Sequence, residues 1–284
     1  MIMKKVKKWI QILSAIKFRN HNLQRVDPHD LEFYINAQKL FAINIDKSIF
    51  PHYIHRTILW DSREPISVLP AIKTVKKHTK EYKHIMWNNY ATEKLVLSLF
   101  DHSHFYFQYS RKIMQADFAR YLILYQYGGA YFDLDIKMYS SLNTLIEKVN
   151  DQKYNTQNKN EFCILFEEHR WKDSKEAIDE KDQPIRKFLK PEFYTESFIR
   201  VANYAMIATP KHPFIKRILE LCKKRFHLQP KNDYDVLFIT GPDVVSHVYA
   251  TSKKAFLDQY NVFLIPREKH DLYIKHLCDG GWRS

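Results

Sequence analysis

Two aspartates, Asp133 and Asp135, directly follow a short apolar run, Ala130-Tyr131-Phe132. On a regular strand, residues i and i+2 share a face, so the two carboxylates meet and repel. A divalent cation removes that repulsion, and hard ions such as Mg²⁺ or Mn²⁺ take oxygen ligands that they often share with phosphate. The pair is therefore a candidate metal site at the C-terminal end of a strand, where open α/β sheets bind ligands. A second pair lies upstream. Asp117 and Arg120 are three residues apart, hence on one face of a helix. On an exposed face they would form a surface ion pair worth little. Their neighbours Ala119, Tyr121, Leu122, Ile123 and Leu124 instead read as a helix buried nearly all round, and a buried Asp and Arg need partners or a ligand.

The elements that must position these residues can be read on either side. Arg111 to Tyr127 is a strong helix that Gly128-Gly129 ends, and Ala130 to Asp133 is the short strand. Phe50 to Trp60 holds an apolar, β-branched run typical of a buried strand. Ile66 to Lys80 reads as a helix, Tyr82 to Trp87 as a strand and Ala91 to Phe100 as a helix. This alternation predicts an α/β fold with a mainly parallel sheet. Further strands are expected at Phe162–Phe166, Tyr204–Ala208, Val236–Thr240 and Val262–Ile265, and further helices at Lys211–Phe226 and Pro242–Lys254. The Asn-rich stretch 150–160 reads as a loop and the charged stretch 172–190 as an insertion. Residues 1–46 read as a basic helical extension, with 47–284 as one domain.

The chain has only five glycines in 284 residues: Gly128-Gly129, Gly241 and Gly280-Gly281. So sparing a use predicts glycine where φ is positive or backbones approach closely. Each place sits beside Asp133 and Asp135, Asp243, or Asp279 with Trp282, which suggests one shared active site. Lysine and arginine outnumber acids by 45 to 32, which favours anionic partners without choosing among nucleic acid, lipid surface and phosphorylated substrate. Cys163, Cys222 and Cys278 are too far apart and too few for a disulfide framework or a CxxC zinc signature, and read as reduced thiols. Scattered histidines such as His52 and His55 read as packing or surface residues.

The run Ala116-Asp117-Phe118-Ala119-Arg120-Tyr121, followed by Tyr127-Gly128-Gly129-Ala130-Tyr131-Phe132-Asp133-Leu134-Asp135, resembles the signature of glycosyltransferase family 32. That family includes yeast mannosyltransferases and bacterial polysaccharide and lipopolysaccharide enzymes, and it is similar in layout to the large clostridial glucosylating toxins. Weaker likenesses extend over residues 50–282: Pro51-His52-Tyr53-Ile54-His55, Trp87-Asn88, Asn203-Tyr204-Ala205-Met206, His212-Pro213-Phe214, Thr240-Gly241-Pro242, and His276 to Trp282. Two positions depart from the family pattern. Ile58 stands where a tryptophan is usual, with Trp60 two later, and Gly281 replaces the serine before Trp282.

The resemblance implies a GT-A type, Rossmann-like nucleotide-sugar-binding domain over 47–284. It implies a retaining transfer of a sugar from a UDP- or GDP-sugar donor to a glycan or lipid-linked glycan, with Mn²⁺ or Mg²⁺ as cofactor, in surface polysaccharide or lipopolysaccharide synthesis. By the same resemblance, Asp117 and Arg120 contact donor hydroxyls, Tyr131 shapes that pocket, and Asp133 contacts ribose or sugar and assists the metal. Asp135 binds the metal, His276 is a further metal contact, and Trp282 reaches the donor phosphate. An effector that glycosylates a host protein would use the same residues. A basic nucleic-acid-binding protein is the rival from another class, but no binding module of that kind is recognisable.

The first 26 residues carry seven basic groups and no acid. Within 4–19, Trp9, Ile12, Leu13 and Ile16 share one helical face, which leaves two readings open: the stripe lies on an anionic membrane surface with its lysines around it, or it packs on the catalytic domain. No run approaches the ~20 apolar residues of a membrane-spanning helix. The expected location is cytoplasmic, with peripheral placement on the inner face of the membrane if the first of these readings holds.

Overall fold

The computed structural model describes residues 34–36, 40–41, 50–58, 69–99, 105–151, 161–168 and 199–277. Among these, β1 (Tyr34–Asn36), β2 (Tyr53–Thr57), β3 (Lys83–Trp87), β4 (Gly129–Phe132), β6 (Cys163–Glu168), β7 (Arg200–Ala208) and β8 (Val262–Ile265) form one sheet in the order β1-β3-β2-β4-β7-β6-β8. The pairings β1–β3, β3–β2, β2–β4 and β6–β8 are parallel. Only β7 runs against both its neighbours. A separate antiparallel ribbon joins β5 (Ile136–Met138) to β9 (Ile274–His276).

Helices cover both faces of the sheet, as parallel strands buried on both sides require. One face packs Trp87, Tyr131, Leu165 and Met206 against α3 (Lys112–Tyr127), α5 (Pro213–Arg225), α6 (Asp233–Ile239) and α7 (Pro242–Thr251). The other packs Ile54, Phe132, Ile164 and Ile207 against Val75 of α1 (Leu69–His78), Leu145 and Val149 of α4 (Leu142–Asn150), and Ile136 and Met138 of β5. Strand β4 shows the period of two directly: Ala130 and Phe132 enter one core and Tyr131 the other. Helix α2 (Asn89–Ser98) starts at Asn88, whose side-chain oxygen accepts from the Ala91 amide.

Helix α3 is buried from Met114 through Leu124, as its all-round apolar sequence predicts. It ends where Gly128 takes φ 63° and Gly129 φ 90°. A Cβ on Gly129 would sit 2.6 Å from the Tyr53 carbonyl oxygen, and one on Gly128 would sit 2.6 Å from Pro210 Cδ. The turn therefore needs both positive φ and close backbone approach. His55 locks the same turn from below. The indole Nε1 of Trp87 donates to His55 Nδ1 at 3.1 Å, so Nε2 carries the proton and donates to the Gly128 carbonyl at 2.9 Å.

The structure corrects two sequence expectations. Val236–Thr240 is helical, not a strand. Asn232 accepts from the Asp235 amide, and the Asp235 carboxylate accepts from the Asn232 amide, a reciprocal capping box that outweighs the β-branched run after it. Residues 1–46 are also not purely a helical extension: Tyr34–Asn36 pairs in parallel with β3, and Leu40 is buried in the core. The loop reading of 150–160 starts one residue early, since Asn150 ends α4; the rest of it beyond Asp151, the membrane-surface reading of 4–19 and the insertion reading of 172–190 lie outside the described residues. So do Cys278, Gly280, Gly281 and Trp282. Cys163 and Cys222 are buried free thiols. No helix among the described residues is long and apolar enough to cross a membrane.

Candidate active site

The chemistry-bearing residues gather at the C-terminal edge of β2, β4 and β6. Because β7 is antiparallel, its N-terminal half reaches the same edge. The buried centre is the Asp117–Arg120 pair of α3, with Arg120 Nη2 3.0 Å from Asp117 Oδ1. Arg120 Nη1 reaches two further acceptors, Asp133 Oδ2 at 3.1 Å and the Asn203 carbonyl at 3.0 Å. Asp117 also accepts from Asn203 Nδ2 at 3.0 Å and from Thr240 Oγ1 at 3.2 Å. Tyr121 closes the network: its hydroxyl donates to the Thr240 carbonyl at 2.8 Å and accepts from Asn203 Nδ2 at 3.2 Å. A buried charge pair is tolerable only with such additional hydrogen bonds.

Electrostatics follow from burial. Desolvation pushes the Asp117 carboxyl up to about 6, while Arg120 and the bonds from Thr240 and Asn203 pull it back. At neutral pH it is the anion its three donors require. Burial also works against the Arg120 cation, but Asp133, Tyr131 and Asp117 outweigh it and raise its pKa.

Tyr131 links this pocket to the paired aspartates. Its ring lies 5.0 Å from the Arg120 guanidinium, its hydroxyl donates to Asp133 Oδ1 at 2.8 Å, and Thr57 Oγ1 lies 2.7 Å from the same hydroxyl. The tyrosine proton is committed to Asp133, so Thr57 is the donor. Burial raises the Tyr131 pKa and keeps the phenol protonated. Asp133 is fixed through the backbone as well, its amide donating to the Tyr204 carbonyl at 2.8 Å.

Asp135 turns toward β9. The register places Ile136 opposite His276, and the Leu277 amide donates to the Asp135 carbonyl. His276 Nε2 lies 3.1 Å from Asp135 Oδ2, and its ring stacks on Tyr204 at 4.0 Å. Ligand atoms of Asp133, Asp135 and His276 all lie within 4.8 Å of one another. Two carboxylates and one imidazole, partly open to solvent, suit a divalent cation that keeps positions for a ligand's oxygens.

Asp117, Arg120, Tyr131, Asp133, Asp135 and His276 thus come together as the sequence suggests, and Trp282 lies outside the described residues. Three further residues that hold the site escaped assignment from sequence: Asn203, Thr240 and Thr57. The first two lie inside the Asn203–Met206 and Thr240-Gly241-Pro242 segments already singled out, which is the signal that would have found them. His55 is a buried packing residue, and His52 is exposed and stacks on Tyr82 at 4.8 Å.

Comparison with known proteins bears on this constellation. Residues 65–154 match the family described as "Glycosyltransferase sugar-binding region containing DXD motif". Inositol phosphoceramide mannosyltransferase 3 of Schizosaccharomyces pombe is 28% identical over 139 residues, which cover 48% of this chain and 35% of the relative. The match thus spans about a third of that protein's length. Similar solved structures include the PaToxG glycosyltransferase, with 14% identity, TM-score 0.45, and coverage of 86% of this chain and 79% of that one. Another is the galactosyltransferase LgtC in complex with donor and acceptor sugar analogues, with 12% identity, TM-score 0.37, and coverage of 80% and 87%.

Proposed function

We propose that this chain, whose residues 65–154 carry the sugar-binding region of DXD glycosyltransferases, transfers a sugar from a nucleotide-sugar donor to a glycan or lipid-linked glycan with the help of Mn²⁺ or Mg²⁺. The observation that carries the reading is the convergence of Asp133, Asp135 and His276 beside the buried Asp117–Arg120 pair. Asp133, Asp135 and His276 would hold the cation. When bound, that ion neutralises the donor diphosphate and acts as a Lewis acid on the leaving group.

The chain's own side chains supply orientation. Asp117 accepts hydrogen bonds from donor-sugar hydroxyls at the edge of its network. Arg120 presents a fixed positive charge toward that sugar and needs no reorganisation as charge develops. Tyr131 and Thr57 hold Asp133 in one rotamer, so the carboxylate is aimed before ligand arrives. We read the transfer as retaining, with sugar donor and acceptor meeting on the same face, as the family resemblance implies. Surface polysaccharide or lipopolysaccharide synthesis suits such an activity. A basic segment at 4–19 on the inner face of a membrane would bring the enzyme to a lipid-linked acceptor.

The test is a screen of UDP-glucose, UDP-galactose, UDP-N-acetylglucosamine and GDP-mannose for hydrolysis with Mn²⁺, with Mg²⁺, and with chelator. At least one donor is expected to turn over only with metal. Asp135→Ala should abolish that turnover and weaken Mn²⁺ binding while the metal-free protein keeps its fold, read by circular dichroism, with a midpoint lowered by the lost contact to His276. Metal-dependent turnover by Asp135→Ala at the wild-type rate, or no turnover of any donor by the wild type, would sink the assignment.

A further inference from the structure

The backbone carbonyls of the turn that carries the two aspartates each have an identifiable donor. The Ile136 amide donates to the Asp133 carbonyl at 3.2 Å, and the Leu277 amide donates to the Asp135 carbonyl at 3.2 Å. Between them, the Leu134 carbonyl has one partner among the described residues, and it is a side chain: Arg56 Nη1 donates to it at 3.2 Å. The outer carbonyls are thus held by the turn itself and by the chain just after β9. The central one depends on a residue of β2.

An arginine is a costly choice for that place. Arg56 stands opposite Met86 of β3 and two residues after Ile54, so its side chain leaves the sheet on the Ile54 face, where α1 and β5 pack. It is fully buried, forms no ion pair with any described residue, and its Nε and Nη2 have no hydrogen-bond partner. A neighbour that feels its charge is His84, which burial and that charge hold down to about 4 and so keep neutral. An unpaired buried cation is destabilising, and an apolar side chain of similar volume would pack there without that cost. Packing therefore does not account for the guanidinium. The contact that a hydrocarbon could not make is the bond to Leu134.

We propose that Arg56 is the positioning residue of the Asp133–Asp135 turn. By holding the carbonyl between the two aspartates, it sets the directions in which both carboxylates leave the backbone, and so the spacing of the oxygens offered to a divalent cation. The hold on the turn stands on geometry alone, and its use for a cation rests on the glycosyltransferase reading. Asp133 is fixed from one side by Tyr131 and Arg120. Asp135 meets His276 on the other. The residue between them joins these two sets of contacts, so a rotation of its carbonyl would move both carboxylates at once. Arg56, being fully buried, acts through Leu134 and not on the ligand. Such support of metal ligands from behind is what fixes their orientation.

The test uses the full-length protein, first metal-free and then with Mn²⁺ alone. Arg56→Met keeps an unbranched stem and removes the donor. The Ile136 amide, whose bond closes the turn, is expected to exchange its hydrogen at least tenfold faster in metal-free Arg56→Met than in the wild type. The Gly128 amide, bonded to Leu124 at the end of α3, should keep its rate. Mn²⁺ titration followed by electron paramagnetic resonance is expected to give a Kd at least tenfold weaker. Arg56→Lys restores an N–H donor near the same place and should bring both readings to within threefold of the wild type. Wild-type exchange at Ile136 in Arg56→Met, equal loss of protection at Ile136 and Gly128, or no recovery in Arg56→Lys would overturn the proposal. An unchanged Mn²⁺ Kd beside faster exchange at Ile136 would overturn the link from the turn to the cation. A wild-type protein that binds no Mn²⁺, with Ile136 still dependent on Arg56, would instead remove the metal reading and leave the hold on the turn standing. Should Arg56→Met not fold, Arg56→Gln, whose shorter amide stops short of the Leu134 carbonyl, carries the same comparison.

Discussion

At the scale of single residues, Arg120 is the hub. Its Nη1 serves Asp133 and the Asn203 carbonyl, its Nη2 serves Asp117, and its plane lies near the Tyr131 ring. A lysine ammonium is a point charge without that planar fork and cannot hold three acceptors at these positions. Arg120→Lys should therefore lower kcat/KM for the donor at least tenfold, about 1.4 kcal/mol of transition-state stabilisation. Steady-state kinetics at saturating Mn²⁺ measure it, and unchanged values would make Arg120 a purely structural ion. This part of the site was legible because Asp117, Arg120, Tyr131, Asp133 and Asp135 fall within the one short run that carries the family resemblance; helical spacing pairs Asp117 with Arg120, and the two aspartates lie just past β4, in the turn before β5. Asn203 and Thr240 stood in segments that the resemblance singled out, but their contact with Asp117 was not legible. They meet Asp117 from 86 and 123 residues away in sequence, and no local pattern encodes such a contact.

At the scale of elements, local signals predicted what local forces decide. The all-round apolar helix, the glycine stop and the short strand after it all stand where their spacing put them. The stretch Val236–Thr240 reads as a strand only if the capping signal at Asn232 and Asp235 is ignored. There, the first-turn hydrogen bonds, not the preference of valine and isoleucine, fix the conformation. The β5–β9 ribbon was invisible for a different reason: each strand has three residues, and the pairing of Ile136 with His276 closes across most of the second half of the chain. The glycine turn before β4 gives a test of how tightly this architecture is fitted. Gly129→Ala would force an alanine to φ 90° and push its Cβ against the Tyr53 carbonyl, where β2 and β4 pair. Backbone strain of this kind costs about 1–3 kcal/mol, and the clash with backbone adds to it. Urea unfolding should show a midpoint lowered accordingly. A variant as stable as the wild type would mean that the two strands have room to separate at this point.

At the scale of the whole molecule, buried histidines tie stability to pH. Burial, partly offset by backbone hydrogen bonds, holds His55 down to about 3 and His212 to about 4. Burial and the neighbouring Arg56 charge hold His84 to about 4. In the unfolded chain each titrates near its usual 6.5. Below that pH the unfolded state takes up protons that the folded state refuses, so stability present above 6.5 is lost as pH falls toward 4. Asp117, raised to about 6, acts in the opposite direction over part of that range, because there the folded state holds the extra proton. Three depressed histidines outweigh it, each losing on the order of 2 kcal/mol between pH 7 and pH 5. His212 isolates the effect, since it has a structural task that a non-titrating residue can perform. Its Nδ1 accepts from the Phe214 amide at the start of α5, and its Nε2 donates to the Tyr260 carbonyl. Asparagine is a favoured helix cap and cannot be protonated in this range. His212→Asn should be less stable than the wild type at pH 7, where the bond to Tyr260 is lost. It should also lose on the order of 2 kcal/mol less than the wild type between pH 7 and pH 5. Urea unfolding of both proteins at the two pH values gives the comparison. Equal pH dependence would show that His212 accepts its proton in the fold and that the helix start is open to water.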